Sequence, residues 1–527
     1  MSYDQVKRNI WNNAVSNYVR TVVGMVVGLV TFRLLYQALD REQFGFWSLL
    51  WSVFGYGILL DFGFGFAAQK RVAELSVRED WDKLSRVLSS ILCCYLGVAL
   101  LIVAVVLAGS LHIVAWFGVS PQNSESFRRV LVLFFLGIGL AFPLGIFPEI
   151  LRGQQRIRLA NNLTTAAMIL RLGFIVLAVW RHWSFMSIMA IALFFALAPD
   201  ISAAFLALKK MPRVRLHPSL VSFTMLGDTM KFSIFAYLAT ATNVVLGKTD
   251  QLVIGATLSI AAVAVYQAGA KVAEIFAQFT RQFQDTLTPA AAHLHATGDR
   301  AALRDLLIQS TRWSVLIATP LYLLCAFYLT ELLRVLTGER VIPRETWLVG
   351  QVLLAWYYTS ILTHSVSKRV FMMTGHERPL MWLGVGEAVT NLAVSVGLVL
   401  GFKSLVCVAI GSLIPTLYFG WLRLWPWVAR DVGLSGLGLF RRTVLPSWFA
   451  CLPMLLVLLG LASVPGLRSV NHWIILLTHG PVAALVAGCG AWVWALHNHE
   501  RSGLRRIFNG LLSSVWKQRA APRVSIA

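Results

Sequence analysis

Apolar runs of about twenty residues, the length that carries a helix across a bilayer, recur from one end of the chain to the other. Short polar connections separate them. The runs predict spanning helices near 10–38, 43–68, 86–109, 128–150, 159–181, 184–208, 226–248, 254–281, 312–335, 346–373, 380–401, 404–428, 444–463 and 473–496. That makes about fourteen transmembrane helices and an all-α membrane protein. The longest connections away from the basic side, near 110–127 and 336–345, are too short for an extramembrane catalytic domain. The tail over 498–527 differs: Leu504, Ile507, Phe508, Leu511, Leu512 and Val515 repeat at helical spacing among Arg501, Arg505, Arg506, Lys517 and Arg519. This pattern predicts a basic amphipathic helix on the cytoplasmic leaflet.

Composition agrees with the pattern. The chain is 57% hydrophobic and 13% charged, about half the charged share of a soluble protein. A formal charge of +22 would suggest nucleic acid in a soluble chain. Here the cations fall in alternate connections: Lys7 and Arg8, Lys70 to Arg86, Arg152 to Arg158, Lys209 to Arg215, Arg300 and Arg304, Lys368 to Arg378, Arg423 to Arg442, and the tail. That asymmetry predicts a multi-pass protein of the inner (cytoplasmic) membrane with both termini cytoplasmic and an even number of spans. Anionic lipid headgroups, not nucleic acid, are the expected partners of these charges. The six cysteines lie in or beside apolar runs and form neither a disulfide framework nor a metal motif. No cleavable signal sequence is expected at the N-terminus.

A shift of about 219 residues aligns the chain with itself. Leu39 falls on Leu258, Trp47 on Tyr266, Leu75 on Leu294, Asp80 on Asp299 and Leu84 on Leu303. Each half begins on the same side, so parallel repeats are expected. The predicted organisation is two pseudo-symmetric six-helix lobes (1–220 and 221–435), two additional helices (436–497) and the tail (498–527). Rocking of one lobe against the other is the natural activity of such a body.

The stretches "LLYQALDREQFGFWSL", "LRGQQRIRLAN" and "KTDQLVIGATLSIAAVAVYQAGAKV" resemble the polysaccharide transporters of the multidrug, oligosaccharidyl-lipid and polysaccharide exporter superfamily, relatives of the lipid II flippases. The similarity spans nearly the whole chain. It implies a central cleft, alternating access and a polyprenyl-pyrophosphate-linked oligosaccharide as cargo. It further implies that the helices after residue 436 serve the lipid tail.

Charges inside apolar runs usually face a cavity or a partner. Arg20, Arg33 and Lys271 match, by helix and depth, the basic residues that line the cleft in the resembled flippases, and would bind pyrophosphate. Helix two carries no basic residue in its core, a departure from that pattern. Asp61, Lys248, Asp250 and Glu274 are candidates for coupling or gating. Arg171 is central in the fifth helix. Trp47, Trp51, Tyr56 and Tyr266 could line space for sugars. The structural alternative is a set of packing ion pairs: Arg20 with Asp61, Lys271 with Glu274, Lys248 with Asp250.

Other signals are weak. "GKT" at 247–249 lacks the upstream glycine of a phosphate-binding loop, since position 242 is Thr. ATP hydrolysis is therefore excluded, and an ion gradient, the membrane potential or the cargo's own gradient must drive transport. No catalytic residue, metal site or cofactor is expected, and the chain does not read as an enzyme. His293/His295 and His497/His499 read as solvated pairs. The expected partners of the transporter include a polysaccharide polymerase and glycosyltransferases. Three rivals stand: a multidrug exporter of the same superfamily, a membrane polymerase or ligase acting on lipid-linked sugars, and a scaffold for a polysaccharide assembly complex with no transport of its own.

Overall fold

The computed structural model describes residues 3–285, 287–463, 472–498, 500–502 and 505, with side chains from residue 16 onward apart from a few internal positions. All described secondary structure is helical. The helices are α1 (Tyr3–Ala38), α2 (Arg41–Tyr56), α3 (Phe64–Val77), α4 (Trp81–Trp116), α5 (Ser124–Gly153), α6 (Ile157–Trp180), α7 (Phe185–Lys210), α8 (Phe223–Thr257), α9 (Ile260–Asp285) and α10 (Leu287–Ala296). They continue as α11 (Arg300–Phe327), α12 (Leu329–Thr337), α13 (Arg344–Thr363), α14 (Ser365–Met373), α15 (Glu377–Phe402), α16 (Leu405–Leu417), α17 (Trp425–Asp431), α18 (Gly436–Thr443), α19 (Leu445–Ser463) and α20 (His472–Gly490). The expected tail helix lies largely outside the described residues.

Ten of the described helices are long and apolar enough to cross a membrane, or eleven when the bent pair α11 and α12 counts as one span. The expected segments that fall outside this set are helical too, and their irregularities have local causes. The span expected over 43–68 is cut into α2, a 3-10 turn at Gly57–Leu60 and α3. Phe62 and Gly63 adopt positive φ at the cut (50° and 77°). Asp61 then caps α3, its carboxylate accepting the Gly65 N–H at 3.3 Å. The span expected over 312–335 bends by 75° between Phe327 and Leu329. The one over 346–373 is interrupted at His364, between α13 and α14. The one over 226–248 lies inside α8, a single helix of 35 residues.

The chain forms two compact units. The first comprises residues 1–275, 333–356 and 375–419. Within it α5 packs against α3, α4 and α7, α6 against α1 and α7, and α15 against α8 and α16. Its core includes Phe64, Val72 and Leu75 from α3, Leu84, Leu88 and Ile91 from α4, and Ile146, Phe147, Ile150 and Leu151 from α5. A Cβ on Gly153 would meet the Gln69 carbonyl at 2.6 Å, so glycine is what lets α5 end tightly against α3. Gly45 does the same for α2, seated against the Ile260 carbonyl.

The second unit comprises 276–332, 357–374 and 420–527. Within it α19 and α20 pack on each other and on α11. Met454, Leu458, Ala483 and Ala487 form their apolar seam. At its end the Arg312 guanidinium, 6% exposed, pairs with the Glu500 carboxylate. That carboxylate also accepts from Trp313 Nε1 (3.1 Å) and the His497 N–H (2.8 Å). Burial raises the Glu500 pKa, but the His497 N–H and Arg312 outweigh it, so the carboxyl sits below its ordinary value.

Candidate functional site

The break in the second span builds the first part of the site. It places Asp61 in the wall of a cavity of about 550 Å3 inside the first unit. Phe54, Phe66, Phe142 and Tyr95 supply its aromatic surface; Gln69, Glu149 and Arg152 supply polar groups. The Tyr95 hydroxyl donates to the Asp61 carboxylate, and Arg152 pairs with Glu149 one helical turn away. Arg152 also acts electrostatically on Arg20 and on Asp200. The cavity thus offers carboxylate, amide and guanidinium groups against aromatic walls. This is the chemistry that grips hydroxylated ligands, in a volume within the usual range of about 300–1,000 Å3.

A second polar cluster lies between α8, α9, α15 and α16. Asp250 is buried, 7% exposed. Its carboxylate accepts from the Tyr266 hydroxyl and from Ser412 Oγ at 3.1 Å. Asn391 Nδ2 donates to the same Ser412 oxygen at 3.0 Å. One turn along α15, the buried Glu387 accepts from Thr416 Oγ1 at 2.8 Å. Two buried carboxylates thus lie on neighbouring helices, Asp250 held by Tyr266 and Ser412 and Glu387 by Thr416. Such oxygen-rich sites can hold a proton or a hard monovalent cation. Among the described residues no group of three or more His, Cys, Asp or Glu side chains is arranged to hold a metal ion.

The structure re-sorts the expected residues. Lys271 Nζ meets Glu274 at 3.3 Å, as the ion-pair reading held, but Lys248 Nζ shares that same carboxylate at 4.0 Å instead of pairing with Asp250. No ion pair joins Arg20 to Asp61 among the described residues; Arg20 Nε is buried with no hydrogen-bond partner. Arg33 donates to the Val335 carbonyl. Of the aromatic candidates, Tyr266 is committed to Asp250, and the Tyr56 hydroxyl is 2.6 Å from Thr249 Oγ1. Trp47 and Trp51 lie together, ring centroids 5.7 Å apart. Residues not singled out from sequence for the site are Tyr95, Asn391, Ser412 and Thr416. Each is an ordinary polar residue in an apolar run, and only the packing reveals its partner.

The sequence profile described as "Polysaccharide biosynthesis protein" matches residues 10–295, more than half of the chain. The chain belongs to this family. No protein of curated function matches it in sequence at a significant level. Among solved structures it is similar to the lipid II flippase MurJ in an inward closed conformation (TM-score 0.68, 13% identity, 91% of this chain and 97% of that one). It is likewise similar to an inward-facing multidrug resistance MATE family transporter of the MOP superfamily (0.64, 14%, 80% and 98%). A third is a MOP superfamily transporter from Pyrococcus furiosus whose binding pocket has reversed polarity (0.55, 13%, 81% and 96%). At these identities the likeness establishes the fold: a multi-pass, all-α transporter architecture.

Proposed function

We propose that the chain is a flippase. It moves a polyprenyl-pyrophosphate-linked oligosaccharide across the cytoplasmic membrane by alternating access, for polysaccharide export. The lobes are 1–220 and 221–435, with 436–497 as added helices and both termini cytoplasmic. The cavity of the first unit carries this reading. Its aromatic walls and its Asp61, Gln69, Glu149 and Arg152 groups suit sugar hydroxyls, and Arg20, which feels the charge of Arg152, supplies a cation with no ion pair among the described residues. Membership of the polysaccharide biosynthesis family and a fold shared with a lipid II flippase support it. Lys271, Lys248 and Glu274 form a gate in which two cations share one anion. Asp250 is the coupling carboxylate, so the chain needs neither ATP nor a catalytic residue. A polymerase and glycosyltransferases are its working partners.

The multidrug reading draws on one observation, the carboxylates of that same cavity, which would suit organic cations. Depletion of the protein in its host separates the two. The expected result is complete lipid-linked repeat units trapped on the cytoplasmic leaflet. Unchanged lipid-linked saccharides would overturn the flippase reading and favour drug export. Complete units already on the outer leaflet would point to polymerisation or ligation.

A further inference from the structure

Within the first unit, one face of α1 and α2 meets α8, α9 and α12 largely through polar side chains and main-chain carbonyls. Arg33 and Gln37, one turn apart on α1, donate to the carbonyls of Val335 and Thr337 at the end of α12, the latter at 3.2 Å. Arg41, at the start of α2, pairs with Glu339 just beyond α12. Its guanidinium also lies over the Tyr36 ring, 4.2 Å from the centroid. Gly45 is seated against the Ile260 carbonyl at the start of α9, and a Cβ on Gly255 would meet Leu49 at 3.4 Å. Ser52 Oγ donates to the Lys248 carbonyl at 3.1 Å, and the Tyr56 hydroxyl is 2.6 Å from Thr249 Oγ1. Positions 41, 45, 49, 52 and 56 recur at spacings of three and four, so they form one stripe, about 22 Å long.

This seam differs in kind from the apolar core of α3, α4 and α5. Parting an apolar core exposes its surface to water at a cost that grows with area. A side chain bonded to a carbonyl loses little when water replaces either partner. The acceptors at the end of α12 are carbonyls that a helix leaves open, and a cation is favoured there. The Arg41–Glu339 pair is only partly buried, with 42% and 24% of the side chains exposed. Closure also leaves Arg41 Nη1 and Glu339 Oε2 buried without a hydrogen-bond partner, a condition that entering water relieves. The contact is therefore specific in register and shallow in free energy. Its far end lies beside Lys248, whose side chain is 3.6 Å from a Cβ built on Gly55, so it runs on into the Lys248–Glu274 pair.

We propose that this seam is a water-breakable latch. When the protein opens at the end of the bundle where α1 terminates, α1 and α2 part from α8, α9 and α12 along the stripe. Arg33, Gln37 and Arg41 close it again. The inference rests on the transport reading above, and it assigns Arg33 to closing the protein instead of holding the cargo.

The test uses the full-length protein in lipid nanodiscs with its native cysteines kept. Spin labels are carried on p-acetylphenylalanine at Ala38 and Val341, two exposed positions beside the seam. Double electron–electron resonance reads their separation with no cargo present. The wild type is expected to show a short-distance population. Arg41→Glu should raise the ratio of long to short distances about fivefold, and Arg41→Glu with Glu339→Arg should restore the wild-type ratio. Gly45→Leu should move the distribution to the long distance, because leucine cannot share the space of the Ile260 carbonyl. An Arg41→Glu protein with a lower melting temperature and an unchanged distribution overturns the latch and leaves the pair as packing. A charge-swapped protein that stays at the long distance overturns it too. Should Gly45→Leu fail to fold, the charge swap decides the outcome. These distances can fail while depletion still traps lipid-linked saccharides, and the reverse, so the latch and the flippase reading fall separately.

Discussion

Replacing Asp250 by Asn tests whether its charge works in transport or only in packing. The carboxylate is buried and accepts hydroxyls from Tyr266 and Ser412. Hydrogen bonds to a charged group are worth about 1.5–3 kcal/mol and neutral ones about 0.5–1.5 kcal/mol, so Asn forfeits about 1–1.5 kcal/mol per donor, or about 2–3 kcal/mol for the two. Asn also removes the burial of a charge, an effective cost of several kcal/mol. The two roughly offset, and Asp250→Asn should melt at or slightly above the wild type. Asp250→Ala differs because it strands two buried hydroxyls at about 1–3 kcal/mol each. Both variants shed the same buried charge, so this stranding places Asp250→Ala about 2–6 kcal/mol below Asp250→Asn, with a clearly lower melting temperature than that variant. In vesicles with an imposed proton or sodium gradient, Asp250→Asn should lose at least about tenfold of gradient-driven cargo movement while remaining folded, about 1.4 kcal/mol in the driving step. An Asp250→Asn protein that keeps the full gradient dependence would refute the coupling role, and Asp250 would then be a packing residue.

Three further outcomes are expected. Arg20→Ala should lower export more than Lys271→Ala, because Lys248 already reaches Glu274 at 4.0 Å and can replace Lys271. Lys271→Glu should be worse than Lys271→Ala, since it sets two carboxylates one turn apart; export assays with matched protein levels rank all three. Glu42→Gln should loosen the turn after α4, whose Ser120 N–H (2.7 Å), Ser120 hydroxyl (2.8 Å) and Asn123 amide (2.6 Å) it holds, and faster hydrogen exchange at 118–123 would report it. For Glu500 the folded pKa is depressed, so its contribution is fully present above the ordinary carboxylate pKa and is lost as pH falls through the folded value. Proteolysis near residues 496–502 should therefore rise only below pH about 4.5; cleavage that rises equally at neutral pH would reject the Arg312 anchor.

Where the helices lie was legible because two physical requirements write themselves into sequence. Spans need apolar length, and helices need a periodic run of residues. One turn of the expected repeat has the same backbone in both places. Asp80 and Asp299, aligned by the shift of about 219 residues, both cap a helix, accepting from Lys83 (3.1 Å) and Ala302 (2.9 Å). Each follows a residue of positive φ, Glu79 or Gly298, and each N–H bonds the carbonyl of the aligned leucine, Leu75 or Leu294. Charge partners were less legible. Lys248 and Asp250 are two residues apart on a helix and so cannot face one another. Lys248 turns instead to Glu274, and Asp250 to Ser412 on α16. The break at Asp61 was written in "LDFGFG" as a capping residue followed by glycines, but a hydropathy window averages such a signal away.

The remaining charge is Arg171, and it makes the sharpest separation between packing and work. Ala167, Ile175 and Ala178 are buried on α6, and Arg171 shares their stripe by spacing of three and four. α1 and α6 run in the same direction, since Asn161 bonds Ser16 and Asn17 (2.9 and 2.7 Å) while Met168 lies 3.7 Å from the Gly24 position. Arg171 is thus about 10 Å further along the axis than the level of Arg20. Both have a buried Nε without a partner. An arginine at the centre of a span costs about 2.5–3.5 kcal/mol on insertion scales. Arg171→Leu should therefore raise the melting temperature by a few degrees. If the arginines of α1 and α6 form one path for an anionic headgroup, the same variant should lower export several-fold. A protein that is both stabler and fully active would show that Arg171 takes no part in moving the cargo.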